Sequence, residues 1–220
     1  IRRATMTNDE YETLYRAMRT YCAKHNKLDD AELRVRKIVQ YYVLVAANSG
    51  LRVGEQRQLR WSDVQIERYS TKGSEQTLAR IHVRAETSKV RTSRTFLCRN
   101  GQYFECLREI SKPKSADELI FTVDNENELS KRTMLYHWHK LIELADIADR
   151  ETRDLVPYSL RYFMITQRIM SGLSFRQIAD MCGTSVAQIE KTYYHLNDEI
   201  RLTNAVADYR RREDGTIEVL

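Results

Sequence analysis

Proline and glycine are scarce in this chain, at two and seven of 220 residues. Low Pro and Gly, together with rows of Ala, Leu, Arg, Glu and Gln, argue for a mainly helical architecture. The four cysteines (Cys22, Cys98, Cys106 and Cys182) are scattered. They form no CxxC pair, and no histidine stands at metal-ligand spacing from them. That excludes a disulfide frame and a zinc site, and reads as free thiols in a reducing compartment. No apolar run approaches the ~20 residues that span a bilayer, and no signal peptide is visible, so a membrane partner is not expected. Internal repeats and low-complexity tracts are also missing. The chain begins at Ile1 without a methionine, which leads us to expect a preceding N-terminal part.

What is present is positive charge and tyrosine. The formal charge is +5 and there are thirteen tyrosines. A basic balance favours a polyanionic partner without saying which. The length suits one large domain or two small ones with a substantial core.

Thr7-Asn8-Asp9-Glu10 fits a capping box, and a helix should follow through Cys22 with Tyr11, Leu14, Met18 and Tyr21 on one face. A polar linker from His25 to Asp30 leads to a helix over about Ala31 to Ala47, whose Val39–Ala47 run is apolar nearly all round and predicts burial. Asn48-Ser49-Gly50 breaks it. Leu51 to Glu55 starts another helix, with Arg52 at the junction. Such a junction offers free amides and a positive dipole end to an anion; alternatively Arg52 closes a salt bridge with Glu55 three residues on. Between residues 63 and 98, Val64–Ile66, Ala79–Val83 and Arg94–Leu97 read as a small three-stranded antiparallel sheet, with polar turns at Ser70–Glu75 and Thr87–Ser93. Lys89 lies in the second turn, a basic hairpin tip able to enter a nucleic-acid groove.

Helices are expected again from Gly101 to about Ile110, over Lys131–Ala145 and Pro157–Ser171, and as two short ones at Ser174–Met181 and Ser185–His195. An extended segment falls at Glu118–Phe121. The fold class is therefore mainly α with a small three-stranded antiparallel sheet. Asn197 to Arg211 reads as a charged helix. Thr216–Leu220 reads as a terminal strand that must add to the sheet of its own chain or of a neighbour.

In Cys182–Leu196, CGTSVAQIEKTYYHL, Val186, Ile189, Tyr193 and Leu196 fall at i, i+3, i+7 and i+10 and share a helical face. Tyr193 then points toward the body, with Tyr194 about 100° round the helix. Alone, that segment describes a core tyrosine as well as a reactive one. Elsewhere stand two arginines at helix starts, Arg52 and Arg161, and a lysine on a hairpin tip. Brought together, the guanidinium forks match phosphate oxygens. The metal-free chemistry open to such a set is tyrosine attack on a phosphodiester, with the arginines holding the developing charge and a lysine protonating the leaving oxygen.

Here the chain resembles the tyrosine recombinase (phage integrase) family. NSGLRVGEQRQLRWSDV is similar to its first arginine motif, SKVRTSRTFL to its β-hairpin lysine motif, YSLRYFMIT to its H-x-x-R box and CGTSVAQIEKTYYHL to its nucleophile box. Order and spacing match over roughly Thr7 to Leu196. The resemblance implies the catalytic domain of a DNA strand-exchange enzyme over residues 1–196, followed by an arm at 197–220 that couples protomers. An N-terminal core-binding domain would be missing from this chain. It also implies a 3′-phosphotyrosyl intermediate and a free 5′-hydroxyl, with no metal, nucleotide or other cofactor. The implied partners are double-stranded DNA, a homo-oligomer that is dimeric on one site and tetrameric on two, and an accessory directionality factor. The implied location is cytoplasmic and nucleoid-associated.

Carried over by position, Arg52 and Arg161 would clamp the scissile phosphate, Lys89 would be the general acid and Tyr193 the nucleophile. Two positions depart from the pattern. Tyr158 stands where the family has histidine in H-x-x-R, and Thr184 where it has histidine or tryptophan. Tyrosine, with a pKa of about 10, is a poor base at neutral pH, but both residues can donate hydrogen bonds to phosphate. The expected cost of a lost general base is on the order of 10²–10⁴-fold. Two rivals remain. LSFRQIADMCGTSVAQIEKTYYHL also reads as a helix-turn-helix regulator with Tyr193 in its core. The other rival is a catalytically inactive relative.

Overall fold

The computed structural model describes residues 5–23, 28–71, 74–150 and 152–193, and beyond them 202, 205–206, 209–211 and 217–219. Helix α1 (Asn8–Tyr21) starts at the expected capping box: Thr7 accepts from the Glu10 amide and Glu10 accepts from the Thr7 amide. Leu14, Met18 and Tyr21 are buried on its inner face, and Tyr11 stacks on Phe163 at 4.6 Å. Helix α2 (Asp30–Ser49), capped by Asp29, buries nearly its whole C-terminal half, as its unbroken apolar run requires. It ends at Gly50, whose φ of 62° is the left-handed cap that glycine adopts without strain. From there the chain turns directly into Arg52.

After the short α3 (Val53–Arg57) and a 3₁₀ turn at Trp61–Asp63, strands β1 (Val64–Thr71), β2 (Ser74–Val83) and β3 (Arg94–Arg99) form an antiparallel sheet in sequence order. Ile81 is the register partner of both Val64 and Phe96. Ala79, Ile81 and Val83 alternate inward along β2, the period of a strand with one covered face. The first expected turn is tighter than Ser70–Glu75, because pairing continues to Thr71 opposite Ser74; residues 72–73 lie outside the described residues.

Helices α4 (Gln102–Ser111), α5 (Lys131–Leu144), α6 (Ser159–Met170), α7 (Phe175–Cys182) and α8 (Val186–Tyr193) complete the body. The link into α6 is pinned from two sides. Trp138 Nε1 donates to the Leu155 carbonyl at 2.8 Å. Arg153 bonds the Glu10 carboxylate and the Thr5 carbonyl. One large core gathers α1, α2, α4, α5 and the sheet. A second, smaller one lies under α7 and α8 and is built on Met164, Ile165, Ile169, Ile178, Cys182, Ile189 and Tyr193. All four cysteines are free.

The C-terminal expectations need correction. Residues 202, 205 and 206 are helical, but Tyr209–Arg211, expected at the end of the charged helix, forms strand β4. It pairs antiparallel with the terminal strand β5 (Ile217–Val219) in a separate two-stranded sheet. The terminal strand therefore has a partner close by in sequence and does not extend β1–β3. A local hairpin satisfies the same backbone groups that a distant sheet edge would have. Residues 194–201, which hold Tyr194 and the start of the expected helix, lie outside the described residues, as do Thr216, Leu220 and residues 25–27 of the linker.

Candidate active site

Both arginines singled out in the sequence converge on the turn after α7. Arg161, in the first turn of α6, is buried; it donates to the Gly50 carbonyl and, at 2.9 Å, to the Cys182 carbonyl. Arg52 Nη2 donates to the next carbonyl, Gly183, at 2.7 Å. Arg94 Nε donates to the preceding one, Met181, at 3.0 Å. Three consecutive carbonyls at the C-terminus of α7 thus each receive an arginine. These are oxygens that a helix end leaves without partners and where its dipole is negative, so they offset the mutual repulsion of the guanidiniums.

Glu55 supplies the countercharge. Its carboxylate, with only 1% of the side chain exposed, accepts from Arg52 Nη1 (2.8 Å), Arg94 Nη1 (3.1 Å) and Arg94 Nη2 (2.7 Å). Burial by itself would raise the Glu55 carboxyl, but the hydrogen bonds and charges of Arg94 and Arg52 outweigh it and hold the group below its ordinary value. Arg52 therefore pairs with Glu55, as one of its two readings expects, and it also lines the cavity. The amide part of the expected anion site is not free. Arg52 N donates to Glu55 Oε2 at 3.0 Å, and α3 has five residues only.

Gly183 holds this turn. Its φ is +61°, and a Cβ there would lie 2.6 Å from Arg94 Nη1. The arginine packs flat against the one residue type that leaves it room.

Arg52, Lys89, Tyr158, Arg161, Thr184 and Tyr193 all line one cavity of about 520 Å³. Lys89 is exposed on the loop between β2 and β3, whose root is fixed by Arg84 donating to the Gln58 carbonyl at 2.8 Å. Tyr158 caps the N-terminus of α6, with its ring edge-on to Tyr162 at 5.3 Å. Thr184 follows the α7 cap, its amide bonded to the Ala179 carbonyl.

Tyr193, 4% exposed at the end of the described part of α8, lies 6.3 Å ring-to-ring from Tyr162. Among the described residues its hydroxyl has no hydrogen-bond partner. Burial drives its pKa well above that of an ordinary tyrosine, against a smaller lowering by Arg161. A buried hydroxyl left unpaired costs about 1–3 kcal/mol, a cost that strain, a catalytic role or a bound water can account for. Among the described residues no cluster of His, Cys, Asp and Glu is arranged to hold a metal ion, and no helix is long and apolar enough to cross a membrane.

Arg94 escaped the reading of the sequence. Its only local signal is an arginine opening an apolar strand. Its three bonds all reach residues 39 or more positions away.

The model of the phage integrase family matches residues 4–199. No curated protein sequence matches the chain. Among solved structures, the XerH site-specific recombinase bound to palindromic difH substrate in a post-cleavage complex superposes with a TM-score of 0.65 at 16% identity, covering 92% of this chain and 52% of that one. The XerA recombinase gives 0.61 at 20% identity over 92% and 63%. A lambda integrase dimer bound to a COC′ core site gives 0.57 at 15% identity over 87% and 49%. The chain thus shares their fold and spans about half to two-thirds of their length.

Proposed function

Because the chain belongs to the phage integrase family, we propose that it carries the catalytic half of a tyrosine-type DNA recombinase. Tyr193 Oη attacks the phosphorus of a DNA phosphodiester, its phenolic proton passing to solvent. The P–O5′ bond breaks, the 3′ end stays on the tyrosine, and a 5′-hydroxyl leaves. Attack by another 5′-hydroxyl on the phosphotyrosine releases the enzyme and joins the exchanged strand, so bond energy is conserved without a metal or nucleotide. Arg52 and Arg161 hold the nonbridging oxygens as charge builds on the phosphorane, and their ties to fixed carbonyls and Glu55 pre-orient them for it. Lys89, on its exposed loop, protonates the leaving 5′ oxygen. Tyr158 and Thr184 donate hydrogen bonds to the phosphate, and the absence of a histidine base at these positions makes the cleavage step slow.

One observation carries this reading above the others. Six residues from four separate stretches of the chain line a single cavity, and one of them is a buried tyrosine whose hydroxyl has no hydrogen-bond partner among the described residues. A helix-turn-helix regulator has no use for that convergence. DNA is the substrate and partner, with a dimer per site and a tetramer across two. The arm at 197–220 couples protomers; truncation after Leu196 is expected to abolish tetramers on paired sites in analytical ultracentrifugation, and unchanged tetramers would remove that role.

The test of the chemistry uses nicked suicide duplexes with a randomised core, incubated with the protein and resolved on a denaturing gel. Wild type and Tyr194→Phe are expected to yield a covalent adduct, and Tyr193→Phe none. An adduct from Tyr193→Phe would reject the nucleophile. The absence of adduct from every protein would favour the regulator or the inactive relative.

A further inference from the structure

The geometry points to Arg94 as a positioning residue that keeps Arg52 available to an anion in the cavity, which deepens the recombinase reading and rests on it for the identity of that anion. The argument begins with charge. Arg52 bonded to Glu55 alone is a neutral pair, and a neutral pair is a poor phosphate clamp. Arg94 enters that pair from the other side. It occupies both carboxylate oxygens, at 3.1 and 2.7 Å, with 10% of its own side chain exposed. One carboxylate is thereby divided between two guanidiniums, and the trio keeps a net positive charge.

The second half is orientation. Arg52 Nη1 shares Glu55 Oε1 with Arg94 Nη1, while its other Nη donates to the Gly183 carbonyl. Arg94 bonds the Met181 carbonyl and packs on Gly183 itself. It therefore fixes both the carboxylate and the turn between which the Arg52 fork is stretched. Arg94 does not line the cavity, so it acts through Arg52 and not on the phosphate. It also opens β3 directly after the loop that carries Lys89, joining the root of that loop to the turn that starts α8.

The experiment is a titration of the whole chain with inorganic phosphate at constant ionic strength, followed through the amide shifts of Gly183 and Thr184, with thermal melts in parallel. A unit charge at this range shifts such equilibria by about tenfold or more. Arg94→Gln is expected to weaken phosphate about tenfold, and Arg94→Lys, which keeps the charge, to stay within about threefold. The discriminating variant is Glu55→Gln with Arg94→Gln. Removing the carboxylate frees Arg52 from neutralisation, so the double variant is expected to bind phosphate better than Arg94→Gln alone, which a purely structural role would not produce. Three results would overturn the assignment: unchanged affinity in Arg94→Gln with only a lower melting temperature, a double variant no better than the single one, or no phosphate-dependent shift in wild type. A wild type that binds phosphate, shows the charge rescue and yet forms no DNA adduct would remove the recombinase reading and leave the role of Arg94 intact.

Discussion

The two cores of this molecule differ in size and in the polar bonds that border them. The large one packs Leu14, Met18, Ile38, Val43, Ile81, Leu107 and Trp138 with almost no exposed surface, and its stability comes from apolar area, at roughly 25 cal/mol per Å² removed from water. The small one beneath α7 and α8 has fewer apolar side chains. Three arginine–carbonyl bonds at the end of α7 tie it to the rest, beside Met181, which packs against both cores. Of the proposed clamp, Arg52 comes from the α2–α3 junction beside the large core, and Arg94, which orients it, from β3, whereas Tyr193 rides on the small one. The difference implies that the proposed phosphate-holding Arg52 sits on the stiffer part and the proposed nucleophile on the part that opens more readily.

The variant expected to have the largest effect acts where the two regions meet. Arg161→Ala deletes the bonds to Gly50 and Cys182 and half of the proposed clamp together. Covalent adduct formation is expected to fall by about 10²–10³-fold, and urea denaturation to show a loss of about 1–3 kcal/mol from the two stranded carbonyls. Adduct formation near the wild-type rate would show that the cavity does not use this arginine.

A smaller change tests whether the regions separate. Gly183→Ala forces a left-handed residue and pushes against Arg94, with an expected cost of about 1–3 kcal/mol. Amide hydrogen exchange should quicken in α8 while the central amides of α2 keep their protection. Equal losses in both helices would mean one cooperative unit and end the distinction.

The gentlest probe is pH. The His137 ring accepts or donates a 2.8 Å bond with the Tyr21 hydroxyl inside the large core, and burial, its main cause, lowers the His137 pKa. A depressed histidine favours the neutral form in the fold, so its contribution is present above an unfolded pKa of about 6.5 and declines as pH falls from there toward the folded value. Glu55 is depressed too. Its contribution is present above an unfolded value of about 4.3 and is lost as pH falls through the lower folded one. Acid titration is therefore expected to weaken the α1–α5 contact first and the arginine cluster later, read by His137 ring shifts and Gly183 amide shifts. The reverse order, or a Glu55→Gln variant with unaltered behaviour below about pH 4.3, would contradict this account.

Much of the fold was legible because its determinants are local. Thr7 and Glu10 cap α1 three residues apart, Gly50 stops α2 by its own backbone freedom, and the alternation in β2 names its buried face. The i, i+3, i+7 spacing was enough to turn Tyr193 inward. The terminal strand misled because period alone says that a segment is extended and not which neighbour it pairs with; Tyr209–Arg211 was read as helix, and so its nearest partner was missed.

By itself the sequence determined which elements form, where the arginines, the lysine and the tyrosine stand on them, and that the tyrosine faces the interior, since each of these depends on backbone geometry over a few residues. Only the tertiary structure decided that three arginines, Arg94 among them, meet on successive carbonyls of one turn, and that Glu55 is divided between two of them. Apart from the local Arg52–Glu55 pair, those bonds join residues 21 to 131 positions apart, and a hydrogen bond across such a distance leaves no periodicity in the chain to be read.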